Sequence, residues 1–201
     1  MGKSSLISLT LTVLALIFAA YRVEAGPLDS PGAQKSLVCS ACHGFAGNAP
    51  GNTVPNIAGM NANYFKKAIK DYAEGKRPSP EMEPYSKYVL QFGLDEIAAY
   101  FAEQKRQLPR TRADAKAAGR GKAIAANCTG CHGRKGEGVA ERGFSAIQGQ
   151  PAAYLQAQLM LLKEDKRKLD DSALDAVKKD LLKSLGDRDI ADLAAYYSTL
   201  K

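Results

Sequence analysis

The sequence predicts an all-α protein of two similar halves, with no sheet. Three observations carry this. The motif Cys39-Ser40-Ala41-Cys42-His43 returns 89 residues later as Cys128-Thr129-Gly130-Cys131-His132. The stretches around the two copies also match each other, so one folding unit is present twice. The segments between the matched stretches carry apolar residues at helical spacing, such as Tyr64, Ala68 and Tyr72.

The repeat runs well past the motifs. Gly32 and Gly121 each stand seven residues before the first motif cysteine. Pro55-Asn56-Ile57-Ala58-Gly59 with Tyr64 runs parallel to Ser145-Ala146-Ile147-Gln148-Gly149 with Tyr154. Asp95-Glu96-Ile97-Ala98-Ala99-Tyr100-Phe101 is echoed by Ala191-Asp192-Leu193-Ala194-Ala195-Tyr196-Tyr197. A first helix is expected to lead into each motif, over Pro31 to Cys42 and Ala113 to Cys131. A second starts near Tyr64 or Pro151. The last helix of each half carries Ile97, Tyr100 and Phe101, or Ile190, Leu193, Tyr196 and Tyr197, as packing residues. The glycines before the motifs suit a close crossing of the first and last helices. The linker falls within Gln107 to Ala113, so the halves are 26–107 and 108–201.

Each motif is C-x-x-C-H, the attachment signature of c-type haem. Two thiols about one helical turn apart can each add to a vinyl group on one porphyrin edge, and the adjacent histidine then binds the iron. Cys39, Cys42, Cys128 and Cys131 are therefore the candidate attachment residues, and His43 and His132 the proximal ligands. A thioredoxin-like redox pair or half a zinc site could also use C-x-x-C. Neither needs a histidine directly after the second cysteine, and neither predicts two copies. A four-cysteine zinc site would leave idle both histidines of a chain that has only two.

Residues 1–25 precede the fold. Lys3 is followed by the apolar run Leu6 to Ala20, and Val23-Glu24-Ala25 ends on a small residue before Gly26. This is the pattern of a cleaved signal peptide; an uncleaved anchor is the rival, but the apolar run is shorter than the ~20 residues of a spanning helix. The signal implies a periplasmic protein. In that oxidising setting spare cysteines form disulfides, but all four cysteines lie in the two motifs. The formal charge is +7. Cleavage would remove two cations (Lys3, Arg22) and one anion (Glu24), leaving +6. Haem propionates would offset most of that, and an exported protein rarely meets nucleic acid, so no nucleic-acid partner is expected.

With these residues in view, the chain resembles the dihaem cytochrome c4 family, two tandem class I cytochrome c domains. It is also similar to the dihaem subunit of flavocytochrome c sulfide dehydrogenases. The resemblance covers essentially all of the chain after residue 25. It rests on the two C-x-x-C-H motifs, the Pro-Asn-x-Ala-Gly stretch with its tyrosine, and the ending from Asp187 to Tyr197. It implies two covalent haem c groups, each with an axial methionine opposite the histidine. Methionine is soft and favours Fe(II), which raises the potential.

The chain has only Met1, Met60, Met82 and Met160. Met82, in the proline-flanked segment Pro80-Glu81-Met82-Glu83-Pro84, stands where the family carries its axial methionine, in a loop between helices. Met60 follows Pro-Asn-x-Ala-Gly, where the family usually has glutamine, and is expected to pack. The second half departs from the family. Met82 lies 18 residues before Tyr100, and 18 residues before Tyr196 is Lys178. The extra residues of the second half fall within Lys163 to Ala176. Three arrangements remain for the second iron. Lys178, or its neighbour Lys179, binds as a neutral amine, with burial and the metal depressing its pKa. Alternatively Met160 swings in, or the site is open. These lysines could also be no more than a solvated helix face. Ser145 replaces the proline whose carbonyl supports the proximal histidine, so both sides of the second haem are expected to differ from the first.

An amine is a harder donor that favours Fe(III), so electrons would enter at the second haem and leave from the first. The chain is expected to be an electron carrier and not an enzyme. It would join a dehydrogenase or quinol-oxidising complex to a terminal acceptor, with redox proteins, among them a membrane-associated oxidase or dehydrogenase complex, as partners. The alternative is the cytochrome subunit of a sulfide- or thiosulfate-oxidising dehydrogenase. Chemistry at an open second haem is a third reading, weakened by the lack of a spare histidine, a free cysteine or an acid–base pair.

Overall fold

The computed structural model describes residues 29–139 and 144–201. The expected signal peptide, residues 1–25, lies outside them. The first half carries α1 (Pro31–Lys35), α2 (Leu37–His43), α3 (Ala62–Ala73), α4 (Met82–Phe92) and α5 (Leu94–Glu103). The second carries α6 (Ala115–Ile124), α7 (Thr129–His132), α8 (Ala152–Lys163), α9 (Ser172–Lys183) and α10 (Asp187–Ser198). Among the described residues the only β feature is one isolated bridge, Val139 with Phe144. No described helix is long and apolar enough to cross a membrane.

The expected crossing of first and last helices is present in both halves. A Cβ on Gly32 would overlap the carbonyl oxygen of Glu96, and one on Gly121 would overlap that of Asp192. The absence of a side chain is what lets the helices meet. Below each crossing lies a core. In the first half Phe65, Ile69, Val89, Ile97 and Phe101 are buried together. In the second, Leu155, Leu193, Ala194 and Tyr197 are. Each large apolar side chain so buried contributes about 1.5–3 kcal/mol.

The first helix of each half is not continuous. Ser36 separates α1 from α2 because its hydroxyl donates to the Ala33 carbonyl (2.7 Å), the local competition that disfavours serine within helices. In the second half a 3-10 turn, Ala125–Cys128, intervenes between α6 and α7. Asn61 caps α3 by accepting from the Tyr64 N–H (3.0 Å). The inward stripe of α3 is Phe65, Ala68, Ile69 and Tyr72, while Tyr64 turns to a cavity wall.

Met82, expected in a loop, is the first residue of α4. Pro84 is tolerated because it stands in the first turn, where an N–H has no intrahelical partner. Ser79 takes the free donors: its Oγ accepts from Met82 N–H (3.2 Å) and its carbonyl from Glu83 N–H (3.0 Å). In the second half, α9 starts six residues before Lys178, behind an Asp171 cap. Lys178 is therefore mid-helix.

The halves share a polar seam. Asn56 and Gln150 bond reciprocally across it: Asn56 N–H donates to Gln150 Oε1 (2.9 Å) and Gln150 Nε2 to the Asn56 carbonyl (2.8 Å). Asn52 of the first half serves as cap for α8, its carbonyl accepting from Tyr154 N–H (2.9 Å) and its Oδ1 from Ala153 N–H (3.3 Å). Pro151 at that helix start has no side chain able to do so. Arg106 donates to the carbonyls of Ala58 (2.9 Å) and Gln148 (3.1 Å), one from each half.

Candidate functional site

The two motifs open onto two cavities, of about 470 Å³ in the first half and about 270 Å³ in the second. Cys39, Cys42, His43 and Met82 line the first; Cys128, Cys131, His132 and Lys178 line the second. The structure thus brings each set of expected site residues to one cavity. No disulfide joins any of the four cysteines.

Both histidines are oriented the same way. His43 Nδ1 is 2.9 Å from the Pro55 carbonyl, and His132 Nδ1 is 3.1 Å from that of Ser145. A carbonyl at Nδ1 holds the proton there and leaves Nε2 as the free base for a metal. Burial pushes both imidazole pKa values down, against the smaller opposing effect of that hydrogen bond, which favours the neutral rings. Burial, with Cys42 adding to it, pushes the Cys39 thiol up to about 11. The change from Pro55 to Ser145 keeps the carbonyl acceptor, while Phe144 adds an edge-on ring contact to His132 (centroids 5.9 Å apart).

The other wall differs more. Met82, Tyr85 and Val89 of α4 line the first cavity, and Lys178, Leu181 and Leu185 recur at the same spacing in the second. The longer α9 adds Leu174 and Val177 to the wall, consistent with the smaller volume. Lys178 Nζ is held by Asp175 Oδ1 at 2.5 Å and lies 3.3 Å from the Arg167 carbonyl. Lys179 instead pairs with Asp165 (3.0 Å) and Asp175 (3.1 Å). Met160 lines neither cavity. Met60 packs against the core of the first half, as expected, and also lines both cavities.

Between the cavities is a cluster that sequence reading missed. Tyr64, Tyr154 and Gln158 line both cavities, Arg77 the first and Arg167 the second. Arg77, 3% exposed, donates to Gln158 Oε1 (3.0 Å) and to the Tyr64 and Tyr154 hydroxyls. Arg167 donates to Gln158 Oε1 (2.7 Å) and Tyr64 OH (3.2 Å). Neither guanidinium pairs with a carboxylate among the described residues. Burial raises the Tyr64 pKa, but the Arg77 and Arg167 charges outweigh it and hold the phenol below its ordinary range. The signal was present in the text: tyrosine and arginine stand 13 residues apart in both halves.

The residues fit a haem in each cavity. An apolar slot carries a thiol pair and a neutral imidazole, and Arg77 and Arg167, neither paired with a carboxylate among the described residues, suit propionates. A cytochrome c family model matches residues 118–201. The chain is 35% identical to cytochrome c4 of Pseudomonas aeruginosa over 199 residues, covering 96% of this chain and 95% of that protein. The chain belongs to the cytochrome c4 family. The reduced recombinant cytochrome c4 of Pseudomonas stutzeri superposes with a TM-score of 0.77 at 31% identity, over 85% of this chain and 97% of that one. A thiosulfate dehydrogenase electron acceptor of Stutzerimonas stutzeri is 29% identical over 176 residues, covering 82% of this chain and 80% of that protein. As a cytochrome c4 family member, the chain is a dihaem electron-transfer protein with covalently attached haem c.

Proposed function

We propose that this protein carries electrons in the periplasm between a donor dehydrogenase or quinol-oxidising complex and a terminal acceptor, without catalysis of its own. Residues 1–25 would direct export, and 26–107 and 108–201 would form the two haem domains. The observation that carries this reading is the shared wall: Met60, Tyr64, Tyr154 and Gln158 line both cavities, so haems held in them would be separated by one shared layer of side chains.

When bound, each haem iron supplies a reversible one-electron couple. The chain does the rest. Cys39 and Cys42, and Cys128 and Cys131, fix the two groups by thioether bonds. His43 and His132 offer Nε2, oriented through Nδ1 by the Pro55 and Ser145 carbonyls. Met82, positioned by Ser79 at the start of α4, supplies a thioether to the first iron. Lys178 is the amine candidate for the second. That pairing sets the first centre at higher potential and directs electrons from the second half to the first.

Spectropotentiometry of the holoprotein tests this. Two separate one-electron waves are expected, with the lower lost or shifted in Lys178→Ala and the upper in Met82→Ala. A single wave that neither substitution moves would sink the reading. The second reading, an electron-accepting subunit of a sulfur-compound dehydrogenase, draws on the similarity to the thiosulfate dehydrogenase electron acceptor. Thiosulfate-dependent reduction by such a dehydrogenase at catalytic rates, with none from quinol-oxidising complexes, would favour it.

A further inference from the structure

The amine candidate for the second iron, Lys178, lines the second cavity and already has a partner. Lys178 and Asp175 form an ion pair of 2.5 Å, each side chain 11% exposed. The carboxylate is held in place from two further directions, by Leu169 N–H at 2.9 Å and Lys179 Nζ at 3.1 Å. The first cavity has no counterpart: Met82 is uncharged, and the acids on either side of it are exposed and engaged elsewhere, Glu81 accepting from Ser79 Oγ (3.0 Å) and Glu83 from Lys87 Nζ (2.6 Å).

We propose that Asp175 competes with the second iron for Lys178, and that this leaves the second haem a labile sixth position open to small uncharged ligands such as carbon monoxide. An amine nitrogen has one lone pair. It either holds the proton that bridges to Asp175 or binds a metal, and cannot do both. No other base replaces it readily. Met160 lies outside the cavity, both histidines belong to the motifs, and Met60, which lines this cavity too, is packed against the core of the first half. The α9 wall is otherwise apolar, with Leu174, Val177, Leu181 and Leu182, which suits a neutral diatomic and disfavours an anion. The first haem, with Met82 uncontested, stays closed.

The inference rests on the haem reading above, and the test separates the two. Ferrous holoprotein is titrated with carbon monoxide, followed in the Soret band, for wild type, Lys178→Ala, Asp175→Asn and Asp175→Glu. Wild type is expected to bind one carbon monoxide per chain, and Lys178→Ala to bind it at least as tightly. Asp175→Asn keeps an acceptor for Leu169 N–H but loses the charge that holds Lys178, so its affinity falls by about tenfold or more. Asp175→Glu restores wild-type affinity. In the ferric state Asp175→Asn loses high-spin signal in electron paramagnetic resonance, a change that simple loosening of α9 would not give. Equal affinity in all four proteins, or no binding by wild type and Lys178→Ala, overturns the proposal. If both haems still cycle in potentiometry in that case, the electron-carrier reading survives.

Discussion

Asn56 and Gln150, one from each half, close a two-bond ring across the seam, the backbone of Asn56 donating to and accepting from the Gln150 amide. The Asn56 side chain adds bonds to the carbonyls of Gly149 (2.9 Å) and Gln107 (3.2 Å) and accepts from Ala49 N–H (2.7 Å). Both residues are buried. Gln150 stands at the position that Met60 holds in the first half. The halves therefore differ at this repeat position, amide in one and thioether in the other.

Gln150→Leu keeps the bulk and strands the buried N–H and carbonyl of Asn56. Unfolding by guanidinium chloride is expected to show a loss of about 2–4 kcal/mol. A loss under about 0.5 kcal/mol, the usual range for surface changes, would mean that the seam contributes little.

The helix crossings predict a sharp positional contrast. Gly32→Ala and Gly121→Ala each force a methyl group into a backbone carbonyl and are expected to cost about 3 kcal/mol or more. Gly119→Ala, on the same helix as Gly121 but facing open space, should be neutral or stabilising by about 0.5–1 kcal/mol. Thermal denaturation of the three variants checks the order.

Arg120 grips Asp192 with two bonds of 2.6 Å. That contact holds the Asp192 carboxyl below its ordinary value of 3.8, against the burial that raises it. A carboxyl depressed on folding stabilises the protein above the unfolded pKa, and this contribution is lost progressively as pH falls from there through the lower folded pKa. Asp192→Asn should lower Tm at pH 7, with the gap to wild type narrowing as pH drops below about 4. A gap that is constant with pH would assign the effect to packing.

Met82→Ala is expected to abolish the far-red Fe–S(Met) absorption of the oxidised protein and to lower the upper potential. Met60→Leu should leave that band intact, because Met60 lies with the core of the first half. Loss of the band in Met60→Leu would exchange the roles of the two methionines.

The covalent chemistry was legible in the text, since C-x-x-C-H demands its histidine next to its cysteines whatever the fold does around it. The repeat exposed the helix crossings too, through Gly32 and Gly121. The α4 wall was legible in part. Counting back from Tyr196 placed Lys178 opposite Met82, and the residues lining the two cavities keep the same 3-then-4 spacing from these positions. The start of α4 at Met82 was missed because Pro80 and Pro84 mark a loop by composition, whereas a proline in the first turn breaks no hydrogen bond.

Local sequence was enough for whatever depends on neighbours in the chain: the attachment motifs, the glycines, the apolar stripes. It could not reveal contacts whose partners lie far apart. Asn56 and Gln150 are 94 residues apart and Arg77 and Tyr154 are 77, and no periodicity links them. The pairing of Lys178 with Asp175 is local, but its meaning is not. Only the folded cavity, which brings α9 to the wall of the chamber that holds His132, turns an ordinary helix ion pair into a competitor for a metal. Electrostatics and coordination act through space, and the order of residues along a chain specifies that space only after it has folded.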